Sequence, residues 1–226
     1  MNVEVGREKS GASVVFLVRG RRGGEARIEA RSIVGGSVQA VVRLEPNAAL
    51  LLIDLQQGIR EPRLGRRNHP EAEARIAGLL ARWRETGRTV VHVRHLSREA
   101  DSVFRPGQPG VEFQPAFLPR AGEQVLDKQV PDAFTSGELA PWLHRQAIGQ
   151  LVVVGGITNN SVESTARTAG NLGFSTIVVA DATYTFDRHD LDGRLWRAEE
   201  IQALSLANLA MDYACILDTA ALLALS

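Results

Sequence analysis

From Ala48 onward, apolar runs of strand length alternate with longer segments whose apolar residues recur every three to four positions. Runs apolar throughout, such as Leu50-Leu51-Leu52-Ile53 and Leu151-Val152-Val153-Val154, suit strands buried on both faces, the condition of a parallel sheet covered by helices. The pattern predicts strands at about Ala49–Asp54, Thr89–Arg94, Gln124–Lys128, Leu151–Gly155, Thr176–Ala180 and Ala214–Leu217. Helices are predicted between them. One is opened by Pro70 and closed by Gly87, and others run about Glu138–Gln146, Asn160–Leu172 and Ala198–Asp212, with a short one near Thr219–Leu225. The resulting fold class is α/β: three layers, with a doubly wound, mainly parallel six-stranded sheet and helices on both faces.

Two stretches break the alternation. Leu96 to Gly122 carries Pro106-Gly107-Gln108-Pro109-Gly110, then Pro115 and Pro119, and reads as a lid or as decoration, with Val111, Phe113 and Phe117 suited to walling an apolar pocket. Residues 1–46 differ from the rest, with alternating stretches at Ser13–Val18, Ala26–Ala30 and Ser37–Arg43 separated by glycine clusters. They read as an N-terminal extension ahead of a main domain over residues 47–226. The extension is a small β meander docked on the main domain or a neighbouring subunit, a poorly ordered segment, or sequence upstream of the true start.

Composition narrows the class of partner. The 226 residues are 44% hydrophobic and 23% charged with formal net charge zero, and no basic stripe is interleaved with aromatics, so neither a nucleic acid nor an anionic membrane is expected as partner. A small neutral or mildly polar ligand fits better. The single cysteine, Cys215, excludes an intramolecular disulfide framework and a Cys-rich zinc site, and reads as a buried structural thiol in the last strand. No secretory signal or run of about 18 apolar residues appears, which places the expectation in the cytoplasm.

Three strand ends carry candidate chemistry. Leu50 to Ile53 ends on Asp54, Gln124 to Asp127 ends on Lys128, and Val152-Val153-Val154-Gly155-Gly156 hands over to a helix through Ile157-Thr158-Asn159-Asn160-Ser161. Singly, each has an ordinary explanation: a turn aspartate, a solvated lysine and a helix N-cap serine. In open α/β sheets, however, ligands bind outside the carboxyl ends of the strands, and all three residues lie on that rim. His92 is expected in the core, His95 at the strand end lining the pocket, and His189 in a solvated loop, while Trp83 and Trp142 fit helix core faces.

Together these motifs resemble the isochorismatase-like hydrolases, also called the cysteine hydrolase family. The carriers are Ile53-Asp54-Leu55-Gln56, then Gly122-Glu123 leading to Lys128 with Ala133-Phe134, and Gly155-Gly156-Ile157-Thr158-Asn159-Asn160-Ser161-Val162-Glu163-Ser164-Thr165-Ala166-Arg167, with Asp181-Ala182-Thr183 beyond. The resemblance implies an Asp–Lys–Cys triad cleaving a carbon–nitrogen bond next to a carbonyl through a covalent acyl intermediate. Asp54 would be the base, Lys128 the cation and position 161 the nucleophile, with the Ile157 and Ser161 backbone N–H groups holding the oxyanion. Gln56, His95, Phe113, Phe134, Thr158 and Asn159 would line the pocket for an amide or ureide substrate. The resemblance also implies a non-proline cis peptide between Gly156 and Ile157 and a homo-oligomer, dimer or tetramer. No cofactor is implied, and no metal is expected: the nicotinamidase branch carries an Asp-x-His ligand group that Val91-His92-Val93-Arg94-His95 lacks.

Ser161 stands where the family has cysteine, and an alcohol is a much weaker acid than a thiol. One reading is an engineered Cys→Ser replacement in an otherwise intact amidohydrolase. A second is a natural member of the vinyl-ether-cleaving isochorismatase type, with Asp54 as general acid and Arg94 and Arg105 as candidates for holding an anionic substrate. A third is a non-catalytic binding homologue, and a serine esterase is a fourth.

Overall fold

The computed structural model describes the backbone of residues 14–22, 25–34 and 37–226, with side chains from Val42 onward. Three antiparallel strands come first, β1 (Val14–Arg22), β2 (Glu25–Val34) and β3 (Ser37–Val42), paired in that order. The alternating part follows as β4 (Ala49–Ile53), α1 (Ala72–Glu85), β5 (Val90–His95), β6 (Gln124–Lys128), α2 (Leu139–Arg145), β7 (Gln150–Gly156) and α3 (Glu163–Asn171). After these come β8 (Ser175–Tyr184), the two-residue pair β9 (Arg188–His189) and β10 (Leu195–Trp196), α4 (Ala198–Asp212), β11 (Cys215–Leu217) and α5 (Thr219–Ala224).

Six strands form one sheet in the order β11-β8-β7-β4-β5-β6, every neighbouring pair parallel. Because successive side chains on a strand face opposite ways, the all-apolar runs feed two cores at once. Leu50, Leu52, Val152, Val154, Ile177 and Val179 pack against Ile76, Leu79, Leu80 and Trp83 of α1 and Leu222 of α5. Leu51, Ile53, Leu151, Val153 and Val178 pack on the other face against Leu139 and Leu143 of α2, Ala166 and Ala169 of α3 and Leu209 of α4. Trp83, fully buried, also donates from Nε1 to the Ala48 carbonyl at 2.9 Å, which ties α1 to the start of β4.

The chain winds from β4 toward β5 and β6 on one side, then returns to place β7 on the other side of β4. The gap between the ends of β4 and β7 is therefore the switch point where open α/β sheets bind ligands. Asp54 follows β4 and Ser161 follows β7.

Residues 96–122 form an ordered wall. Short 3-10 turns occupy Pro109–Val111 and Pro115–Phe117. Backbone bonds from Gln57 N–H to Glu112 O (2.8 Å) and from Gln114 N–H to Leu55 O (3.0 Å) tie the segment to the residues after β4. Gly58 and Gly110 meet the Val103 carbonyl so closely that a Cβ would lie 2.5 Å and 2.0 Å from it. Val111, Phe113 and Phe117 are all buried.

Candidate active site

Asp54 leaves β4 with φ at +52°, a left-handed conformation that aspartate tolerates better than bulky residues do. Its N–H still bonds the Val93 carbonyl at 3.0 Å, so the turn is anchored to the end of β5. The carboxylate is 2% exposed, and its Oδ1 is buried without a hydrogen-bond partner.

Lys128 ends β6, two strands from Asp54, and its side chain is wholly buried. An ammonium has three protons to donate, and here each has an acceptor: Asp54 Oδ2 at 2.9 Å, His95 Nδ1 at 3.0 Å and Ser161 Oγ at 3.2 Å. Withdrawing such a pair from water is costly, and it persists where geometry and further hydrogen bonds offset the desolvation.

Ser161 reaches this cluster through a tightly approached strand end. Gly155, at φ +112°, lies so near Ile53 that a Cβ would sit 2.2 Å from its carbonyl oxygen, a contact only glycine permits. The Gly156–Ile157 peptide is cis. Thr158–Val162 then make a wide helical turn that runs into α3, with Ser161 4% exposed.

The remaining candidates divide by what their polar atoms already hold. Gln56, fully buried, donates from Nε2 to the His95 carbonyl (2.9 Å) and the Val111 carbonyl (3.0 Å), and its Oε1 accepts from the His95 N–H (2.7 Å). Its carboxamide joins β5 to the wall and leaves Nε2 no free proton for a substrate. Thr158 donates to Gln202 Oε1 at 3.3 Å, and Asn159 Oδ1 accepts from Thr185 Oγ1 at 2.5 Å. Phe113 packs edge-on to His92 with ring centres 5.6 Å apart, and Phe134 packs against Phe174 at 5.8 Å. Among the described residues, only His95 of the six hydrogen-bonds to the Asp54–Lys128–Ser161 cluster through its side chain.

His95 and His92 lie three apart on β5 and have different surroundings. Burial pushes the His95 imidazole below its ordinary pKa, Lys128 adds to this, and Asp54 partly opposes it. His92 is lowered mainly by burial, with Glu123, bonded to its Nε2 at 2.8 Å, pulling the other way. Burial would raise the Glu123 carboxyl, but Arg84, the Arg120 N–H and His92 hold it at about 2.

Several supporting residues carry no sequence signal. Asn68 donates to Gln202 Oε1 at 2.6 Å and accepts from the Thr185 N–H at 2.8 Å. Gln202 of α4 also donates to the Ala180 carbonyl at 2.7 Å. This buried group brackets Thr158 and Asn159 and so fixes the turn that presents Ser161. Tyr184, whose ring lies where a Cβ on Gly156 would fall, is buried with its hydroxyl unpartnered, and burial raises its pKa so that it stays protonated.

The other candidates lie apart. Arg94 forms a two-pronged bond to Asp127 (2.8 and 2.9 Å), and exposed Arg105 donates to the Ala100 carbonyl. His189 is exposed, in the short strand β9 rather than in a loop. Cys215 is half-buried rather than fully buried, and burial pushes its thiol up to about 12, which leaves it unreactive. Among the described residues no group of three or more His, Cys, Asp and Glu converges as a metal site, and no helix is long and apolar enough to cross a membrane.

Comparison with known proteins gives the kinship of the chain. The isochorismatase domain profile matches residues 48–219. The uncharacterized isochorismatase family protein YrdC of Bacillus subtilis is 34% identical over 176 residues, covering 78% of this chain and 94% of its own. Maleamate amidohydrolase of Pseudomonas putida is 36% identical over 159 residues, covering 62% of this chain and 73% of its own. A solved structure of an isochorismatase-family protein from Chromobacterium violaceum superposes with a TM-score of 0.79 at 45% identity, covering 83% of this chain and 98% of that one.

Proposed function

The chain belongs to the isochorismatase family of hydrolases, and from that membership we propose that its chemistry is hydrolysis of the carbon–nitrogen bond of a small amide or ureide. The observation that carries the reading is one buried ammonium, Lys128, bonded both to Asp54 Oδ2 and to Ser161 Oγ, beside an Asp54 Oδ1 that has no partner. With a thiol at position 161, the unpartnered oxygen takes the thiol proton and Lys128 steadies the thiolate. Sulfur then attacks the carbonyl carbon, and the N–H groups of residues 157 and 161 receive the oxyanion. The amine leaves with the proton from Asp54, and water cleaves the thioester, releasing the acid and returning the thiol.

Ser161 interrupts this sequence at its first step. A free thiol ionises near 8.5, whereas an alcohol stays protonated at neutral pH beside the same base. We therefore expect this chain to bind its substrate with turnover almost abolished. Kinship to a maleamate amidohydrolase supports the amide reading. A dicarboxylate vinyl ether would call for arginines at Asp54, and Arg94 and Arg105 are engaged elsewhere.

The test is Ser161→Cys, followed by iodoacetamide labelling across roughly pH 5 to 9, with and without Lys128→Met. Labelling that persists well below about pH 8.5 and is lost without Lys128 is the expected result. An ordinary thiol profile in both variants overturns the amidohydrolase reading.

A further inference from the structure

The Lys128–His95 contact has a chemical direction. An ammonium offers protons and no lone pair, so His95 Nδ1 at 3.0 Å must be the acceptor, with its lone pair bare. The neutral imidazole then carries its proton on Nε2. A second device holds the residue in place, because Gln56 binds both the His95 N–H (2.7 Å) and the His95 carbonyl (2.9 Å). The ring is half-buried beside Phe104, with centres 5.7 Å apart, and its Nε2 has no partner among the described residues. Every other side-chain proton pointing at the cluster from Lys128 and Gln56 is spent: those of Lys128 on three acceptors, those of Gln56 Nε2 on two carbonyls.

We propose that His95 is a substrate-recognising residue: it is held as the Nε2–H tautomer and donates one hydrogen bond to a second acceptor, a carbonyl or carboxylate oxygen, carried by the substrate beside its scissile amide. The inference rests on the amide reading and deepens it, since simple alkyl amides lack the atom that His95 binds. A site built to hydrogen-bond a substrate group discriminates strongly against the analogue without it, because the donor then loses water to the ligand and gains no partner in return.

The unmodified chain allows a direct test, since Ser161 preserves the complex. Ring-15N NMR, with the His95 signal assigned by its loss in His95→Phe, should find Nδ1 unprotonated even at pH values where an ordinary imidazole, near 6.5, is half protonated. Maleamate, oxamate and succinamate are then titrated against isocrotonamide, acetamide and butyramide, which replace the acceptor by a methyl group. Acceptor-bearing amides should shift the Nε2–H resonance and bind at least about tenfold more tightly than their partners, a margin reduced to about twofold or less in His95→Phe. A protonated Nδ1, a margin that survives His95→Phe, or no shift with any of the three acceptor-bearing amides overturns the proposal. Failure of the underlying amide reading is seen separately, in the labelling of the Ser161→Cys variant.

Discussion

Lys128 is the residue on which the site depends, and its burial makes the dependence measurable. Lys128→Met leaves the Asp54 carboxylate, 2% exposed, without its ion-pair partner, and should cost about 3–5 kcal/mol in urea unfolding. Adding Asp54→Leu should recover much of that loss, because the penalty is a stranded charge rather than lost packing. A single variant as stable as the parent would mean that the pair is not buried in solution. At this scale the sequence placed Asp54, Lys128 and position 161 at strand ends, which are recognisable places, and the structure brings the three side chains together. It did not reveal that Gln56, Thr158 and Asn159 would be occupied, nor that Asn68, Thr185 and Gln202 would do the holding. Asn68 and Gln202 lie 134 positions apart, and no local spacing encodes such a meeting.

Between elements, Glu123 does what Lys128 does within the site. It joins Arg84 of α1 (2.7 Å) to His92 of β5 (2.8 Å) just ahead of β6. Its folded pKa of about 2 lies below the ordinary value of 4.5, so the folded state binds the proton less readily than the unfolded chain does. The stabilisation is complete above 4.5 and is lost as pH falls from there through about 2. A urea midpoint followed over that range should fall in the parent and fall less in Glu123→Gln; equal slopes would show that other carboxylates dominate. Element positions were largely legible: Gln124–Lys128 and Ala198–Asp212 have the predicted bounds. The misses have physical causes. β8 continues to Tyr184 because, after a register shift past Val153, its later residues pair with Gly155 and Gly156. The predicted start of α3 at Asn160 lies inside the wide turn 158–162, and β9 and β10, at two residues each, are too short to carry a period.

For the whole molecule, the isochorismatase profile spans residues 48–219, and Gln150 ties the start of β7 to the Arg43 carbonyl (2.9 Å) and the Glu45 N–H (2.8 Å). Deleting residues 1–41 should therefore leave cooperative thermal unfolding with a midpoint shifted by no more than about 4 °C. Loss of cooperativity would make the first three strands part of the folding unit. The wall over residues 96–122 has a different consequence. Most of its anchors are main-chain atoms, the carbonyls of Val103, Val111 and Glu112 and the N–H of Gln114, met by the stretch from Leu55 to Gly58, with the Gln114 carboxamide adding a bond to the Gln56 carbonyl (3.3 Å). Exposed side chains between those anchors can vary while the fastening stays the same. On the amide reading proposed above, these outward positions are thus heritable apart from the Asp54–Lys128–Ser161 cluster, and a lineage could retune part of what it accepts without disturbing how it reacts.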